Sequence, residues 1–191
     1  MREPAGATSH TKGRMILNAR DFVVAREGTD GWRRVLDVLS PEDRDTLAAM
    51  VPIGWYDMSV NDHVNRAIVQ TIGGGRMDVM DALGRYSASE DLKTIHRIFL
   101  RMANPAFVLE RLAEFWGRFQ DSGVWTVVRT APNRVHCTLE GWGSEDEATC
   151  VRLASYARRL FDLVGAEDAF VERRACRARG DAACVFVGGW S

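Results

Sequence analysis

The sequence predicts an α+β fold, with a helical N-terminal half packed on a four-stranded antiparallel sheet that belongs to a C-terminal hairpin–helix–hairpin unit. Three patterns predict it. Residues 124–142 and 170–187 alternate apolar and polar side chains around turn residues, as hairpins do. Between them, residues 144–164 repeat apolar side chains at steps of three and four, the spacing of one buried helix face. Upstream, shorter stripes of the same period are separated by glycine, proline and capping residues.

Residues 15–39 read as mostly helical, with a break near Gly28-Thr29-Asp30-Gly31. Ser40-Pro41 starts the next helix, serine as N-cap and proline at the first position. Residues 53–56 read as a short apolar connection, and Ser59 as the cap of a helix carrying Val60, Val64, Ala67, Ile68 and Thr71. Gly73-Gly74-Gly75 ends it, and residues 77–83 form a short helix stopped by Gly84. Leu92, Ile95, Phe99 and Met102 mark a further face with His96 beside it. Asn104-Pro105 restarts the chain, and Val108, Leu112, Phe115, Trp116 and Phe119 form the strongest stripe.

In the C-terminal unit, Val124, Thr126 and Val128 share one strand face while Trp125 and Val127 share the other. After a turn at residues 131–133, Val135, Cys137 and Leu139 alternate with His136, Thr138 and Glu140. Ser144 and Glu147 fit a capping box for a helix whose apolar face is Cys150, Leu153, Ala154, Ala157, Leu160, Phe161 and Val164. Arg152, Arg158, Arg159 and Asp162 fall off that stripe. The second hairpin pairs residues 170–176 with 184–187 around Gly180, which can take positive φ.

At 191 residues the chain can bury a sizeable core. Its formal net charge of −1 gives no broad attraction for nucleic acid or anionic lipid. No run approaches the ~20 apolar residues of a membrane helix. Residues 1–14 are polar and lack an apolar h-region, so they read as a loose tail ahead of one domain over 15–191, with no secretory signal. Four cysteines without a dense framework suit a reducing compartment, and the expected location is cytoplasmic.

Cys176, Gly180-Asp181, Cys184 and Phe186 resemble the closing motif of the vinyl-reductase-type ligand-binding domains. That fold group also includes the H-NOX haem domains and small subunits of the TRAPP vesicle-tethering complex. Over nearly the whole chain the sequence is also similar to a domain-sized paralogous family typical of myxobacteria, about 200 residues long and of uncharacterised function. Gly31-Trp32, Trp55-Tyr56, Gly84-Arg85, Trp116 and Asp121-Ser122-Gly123 follow its pattern in order, with Asp57 where that family has proline.

Two metal groups follow from the resemblance. The aromatic-sensing domains of some bacterial transcription activators, in the same group, hold zinc through cysteines that correspond to Cys150, Cys176 and Cys184. A tetrahedral site needs a fourth ligand. The family's glutamate falls on Arg173, which cannot ligate, and Glu172 is one residue off, on the other strand face unless a bulge intervenes. His136 and Cys137 on the neighbouring hairpin are substitutes. Small buried thiols are the other reading, and the incomplete ligand set favours a reduced, metal-free core. For haem, H-NOX relatives use a helical histidine, which makes His96 the candidate; His63 is a weaker one. The chain lacks a Tyr-x-Ser-x-Arg motif for the propionates, so a packed, hydrogen-bonded histidine is preferred.

Enzyme motifs are missing from the sequence. Gly73-Gly74-Gly75-Arg76 lacks the Lys-Ser/Thr ending of a P-loop, and there is no Gly-x-Ser-x-Gly elbow. Acidic pairs at helix starts are explained by the helix dipole. Arg173, Arg174, Arg177 and Arg179 read as a solvated hairpin. The expectation is a non-enzymatic bacterial sensing domain that binds a small hydrophobic ligand between helices and sheet and signals through protein association, as a homodimer. Phe99, Met102, Phe115, Trp116, Phe119 and Trp125 are the candidate lining residues, with ordinary core packing as the alternative for all six. The competing classes are a TRAPP-like scaffold or adaptor without a ligand and, behind it, an enzyme acting on a hydrophobic or tetrapyrrole substrate.

Overall fold

The computed structural model describes residues 8–93 and 104–191. The first helix, α1 (Gly13–Asp37), bends where Gly28 leaves helical geometry at φ 72° and ψ −173°. This is the break that the glycine-containing stretch predicts, because only glycine takes that conformation without strain. The short helix α2 (Pro41–Ala48) starts as expected: Ser40 accepts a bond from the Asp43 N–H, and Pro41 occupies the first turn.

The opening of the chain differs from expectation. Strand β1 (His10–Lys12) pairs antiparallel with β2 (Trp55–Asp57), Thr11 standing opposite Tyr56. The His10 N–H and ring nitrogen both reach the Asp121 carboxylate, at 2.6 Å each. Residues 10–14 therefore belong to the fold rather than to a loose tail, and residues 55–57 are a strand rather than a connection. Three-residue strands carry too little alternation to be read from sequence.

Helix α3 (Met58–Thr71) is capped by Asp57, whose carboxylate accepts from the Ser59 N–H, so Ser59 is not the cap. Helix α4 (Asp78–Lys93) runs straight through Gly84. That glycine does not stop the helix. A Cβ there would run into the carbonyl oxygen of Arg152 and stand 2.8 Å from the Ser155 Cβ, so its bare backbone lets two helices touch. Leu92 lies in α4, while Ile95, Phe99, Met102 and His96 fall outside the described residues. Helix α5 (Pro105–Phe115) begins where Asn104-Pro105 restarts the chain, with Asn104 as its N-cap, and passes into a short 3-10 turn at Trp116–Arg118.

The sheet is four-stranded and antiparallel in the order β3-β4-β6-β5, from β3 (Val124–Ala131), β4 (Arg134–Glu140), β5 (Phe170–Ala175) and β6 (Cys184–Gly189). Gly180 turns the second hairpin at φ 90°. Helix α6 (Glu147–Leu163) joins the hairpins. Its N-cap is Asp146, accepting from Ala148 N–H, whereas the expected cap Ser144 gives its hydroxyl to Asp62 on α3.

Buried side chains form two clusters. One joins α1, α3 and α4 around Ile16, Val23, Ile68, Met80 and Leu83; the other joins the sheet, α5 and α6 around Leu109, Trp125, Leu139, Phe161 and Phe186. Helix α6 belongs to both, with Ala148 in the first and Cys150, Ala154 and Ala157 in the second. It is the shared wall of the molecule. No described helix is long and apolar enough to cross a membrane.

Candidate functional site

A cavity of about 710 Å³ opens between α4, α5 and α6. Its apolar walls include Leu92, Val108, Leu112, Phe115, Leu153 and Leu160. At 39–42%, Phe107, Phe115 and Phe119 are far more exposed than core rings. The strongest stripe of the sequence thus divides: Trp116 is buried, while Val108, Leu112, Phe115 and Phe119 also face open space. Of the six candidate lining residues, Phe115, Trp116 and Phe119 line the cavity. Trp125 does not; it is buried in the sheet core, stacked on Phe186 at 5.8 Å between ring centroids and packed against Trp116 at 5.2 Å. Phe99 and Met102 lie outside the described residues.

The far wall is polar. Arg152 projects from α6 to the side opposite the sheet and is buried. Its Nη1 donates to the side-chain oxygens of Asn61 (3.4 Å) and Asn65 (3.2 Å) on α3, and its Nη2 to the Met15 carbonyl (2.6 Å) and the Ser87 hydroxyl (3.2 Å). Loss of water pushes its pKa down to about 10, which leaves it cationic near neutral pH. Beside it, the Asp91 carboxylate accepts from Arg14 Nε (3.4 Å), Asn18 Nδ2 (3.0 Å) and the Tyr156 hydroxyl (3.3 Å). Burial and the Asp91 charge push the Tyr156 phenol upward, so it stays a neutral donor.

Next to this network lies a second buried carboxylate. Asp62 accepts from Thr149 (2.7 Å) and Ser144 (2.9 Å), and Asn65 in turn donates to Thr149 (2.8 Å). Burial outweighs those bonds and raises the Asp62 pKa to about 6. Apolar periodicity does not single out Arg152, Asn61, Asp62 or Asn65. The legible signal was Asn61 and Asn65, one helical turn apart beside the apolar Val60, Val64 and Ile68: polar residues on a buried face need a partner.

On the sheet side, the structure brings Cys150, Cys176 and Cys184 together, their sulfurs all within 4.8 Å of one another and all three residues buried. Cys150 and Cys184 Sγ stand 3.3 Å apart, free thiols rather than a disulfide. A thiol hydrogen bond from Cys150 lowers the Cys184 pKa, helped by the Arg177 N–H, and the same contact raises that of Cys150. Cys137 stays apart, its pKa pushed up to about 11 by burial. Arg173, at the position the resemblance gives to the fourth ligand, pairs with Glu147, which also binds Arg179. The expected solvated arginine hairpin is thus an ion network reaching α6, with Arg177 joined to Glu145 at 2.9 Å. Three thiols fit three corners of a tetrahedral zinc; among the described residues no fourth metal-ligating side chain joins them.

Haem finds less support in the cavity wall. Its described lining contains no histidine or cysteine; of the other donor types it holds Met15 and Tyr156, the latter already bonded to Asp91, and His96 lies outside the described residues. His63 is not in the cavity; its Nδ1 pairs with Asp43 at 3.0 Å. The described donor set does not fit a haem iron.

No protein-family model matches the chain, and no curated protein matches it. Solved structures do. The chain is similar to an H-NOX protein from S. oneidensis in its Fe(II)NO ligation state, with a TM-score of 0.70 at 14% identity over 94% of this chain and 99% of that one. An unliganded Fe(II) H-NOX protein from K. algicida gives a TM-score of 0.70 at 10% identity, covering 94% and 96%. The SO2144 H-NOX domain from Shewanella oneidensis in its Fe(II)CO state gives 0.66 at 14%, covering 94% and 98%. The fold is H-NOX-like.

Proposed function

We propose that this chain is a non-enzymatic sensing domain that takes a small hydrophobic molecule into the cavity between α4, α5 and α6 and signals through protein association. The cavity carries the reading: about 710 Å³ with mainly apolar walls is the size and chemistry of a small-molecule pocket. A filled core would leave no such space, since interiors close-pack. The H-NOX-like fold supports a sensing role by analogy, its relatives having been seen in Fe(II)NO and Fe(II)CO states. Among the described residues the cavity offers no imidazole or thiolate for a haem iron. Homodimerisation is part of the proposal as the output of a domain whose pocket is its main feature, and a TRAPP-like adaptor is the reading it competes with.

The test is titration with the neutral fluorophore N-phenyl-1-naphthylamine, alongside native mass spectrometry of the purified protein. The proposal expects 1:1 binding or a retained small molecule, and loss of binding in Leu153→Trp, which fills the cavity. A wild-type protein that takes up no probe and retains no mass overturns it.

The thiol cluster supports a second reading, a structural zinc on Cys150, Cys176 and Cys184 completed by a water or an outside ligand. Such a metal would tie α6 to the second hairpin. Stoichiometric zinc by elemental analysis, lost in Cys176→Ser, is the result this reading requires; a zinc-free folded protein returns the cluster to reduced core thiols.

A further inference from the structure

We infer that the cavity's ligand is an amphiphile with a single anionic head group, a carboxylate on an apolar body, and that Arg14 receives the head group. This rests on the cavity reading above and names its ligand class. Among the described residues lining the cavity, Arg14, Arg111 and Arg152 are cationic and only Asp91 is acidic. Arg111 pairs with Glu114 and stacks over Phe107 at the apolar end, so it is already neutralised. At the polar end, among the described residues, two arginines (Arg14 and Arg152) stand against one carboxylate (Asp91), an excess of positive charge in a site lined mostly by hydrocarbon.

The two arginines have different parts. Arg152 is locked: four bonds to uncharged acceptors on α1, α3 and α4 hold it, and it supplies a fixed field. A buried cation held only by neutral acceptors remains attractive to an anion, because low polarity strengthens the interaction. Arg14 is placed to make contact. It sits in the first turn of α1, its side chain is 42% exposed, and among the described residues its one side-chain bond runs from Nε to Asp91. Among the described residues neither Nη group has a partner, which leaves both for the forked geometry that suits a carboxylate. Leu92, Leu153 and Leu160 line the same cavity and would contact the apolar body.

The experiment compares 11-(dansylamino)undecanoic acid with its methyl ester, by fluorescence titration at neutral pH on wild type, Arg14→Gln and Arg14→Lys. The expected result is an acid roughly tenfold or more tighter than the ester, the size of one charge-assisted bond. Arg14→Gln should reduce the acid to the ester's affinity and leave the ester unchanged, while Arg14→Lys retains part of the preference. Equal binding of acid and ester to wild type overturns the head-group assignment and leaves the hydrophobic pocket standing. Binding of neither probe overturns both. Arg14→Gln is a mild change, since it removes only a long, half-exposed contact.

Discussion

On the sheet side of α6, Cys150 meets Cys176 and Cys184 among apolar neighbours; on the other side Arg152, two residues further on, enters a ring of amides, a hydroxyl and a carbonyl. Both faces are buried. The thiols need almost nothing from their surroundings, because a thiol is a small hydrophobe with a weak donor. The buried guanidinium needs partners for its N–H groups, and α1, α3 and α4 supply four bonds to its two Nη groups. At the thiols the sheet half is thus joined to α6 by shape, with the Arg173 and Arg179 pairs to Glu147 confined to the more exposed start of that helix, while the helical half is joined by a buried set of polar bonds.

The comparison breaks most readily at Arg152. Arg152→Met keeps the length and removes the charge, leaving the Asn61, Asn65 and Met15 oxygens without their donor; a loss of about 3–4 kcal/mol in urea unfolding is expected. A loss under 1 kcal/mol would mean that the network is incidental.

Next comes Gly84→Ala. With a methyl group driven into the Arg152 carbonyl, α4 and α6 must separate, at about 2–3 kcal/mol, visible as a lowered Tm. An unchanged Tm would show that the helices do not cross there.

Asp62 sharpens the contrast through pH. Its carboxyl has a pKa of about 6 in the fold against 3.8 unfolded, so the folded state holds the proton over a range where the unfolded chain releases it. Its contribution to stability is full below about pH 3.8 and is lost as pH rises through 6, about 3 kcal/mol in all. The wild-type-minus-Asp62→Asn difference in unfolding free energy, measured from pH 4 to 7, should fall by that amount; a flat difference contradicts the burial account.

The smallest effect is expected on the sheet side. Cys184→Ala in a reduced, metal-free core costs about 1 kcal/mol, the loss of one small buried group. A cost above 3 kcal/mol with release of zinc would instead favour the metal reading.

The same contrast explains what could be read from the chain. Cys150, Ala154, Ala157 and Phe161 show themselves through their spacing, and so did the sheet side of α6. Arg152 falls off that stripe, yet a helix wedged between two cores has no solvent side at that position. Of the caps expected from sequence, Ser40 holds its helix start, while Ser59 yields the cap to Asp57 and Ser144 turns to Asp62 and leaves the cap to Asp146. Gly84 followed the same logic, a glycine required by a neighbouring helix rather than by its own. For the site, the stripe of α5 was visible, but stripe residues that fill a core and stripe residues that border a cavity obey one periodicity. Phe115 and Trp125 look alike in sequence and lie in different surroundings.

The most direct test of the account is a crystal structure of the protein exposed to 1-bromonaphthalene, with anomalous data collected at the bromine edge. The account predicts one bromine peak inside the cavity, among Leu112, Leu153 and Leu160. A space closed by the chain's own side chains, with no bromine between α5 and α6, would contradict it.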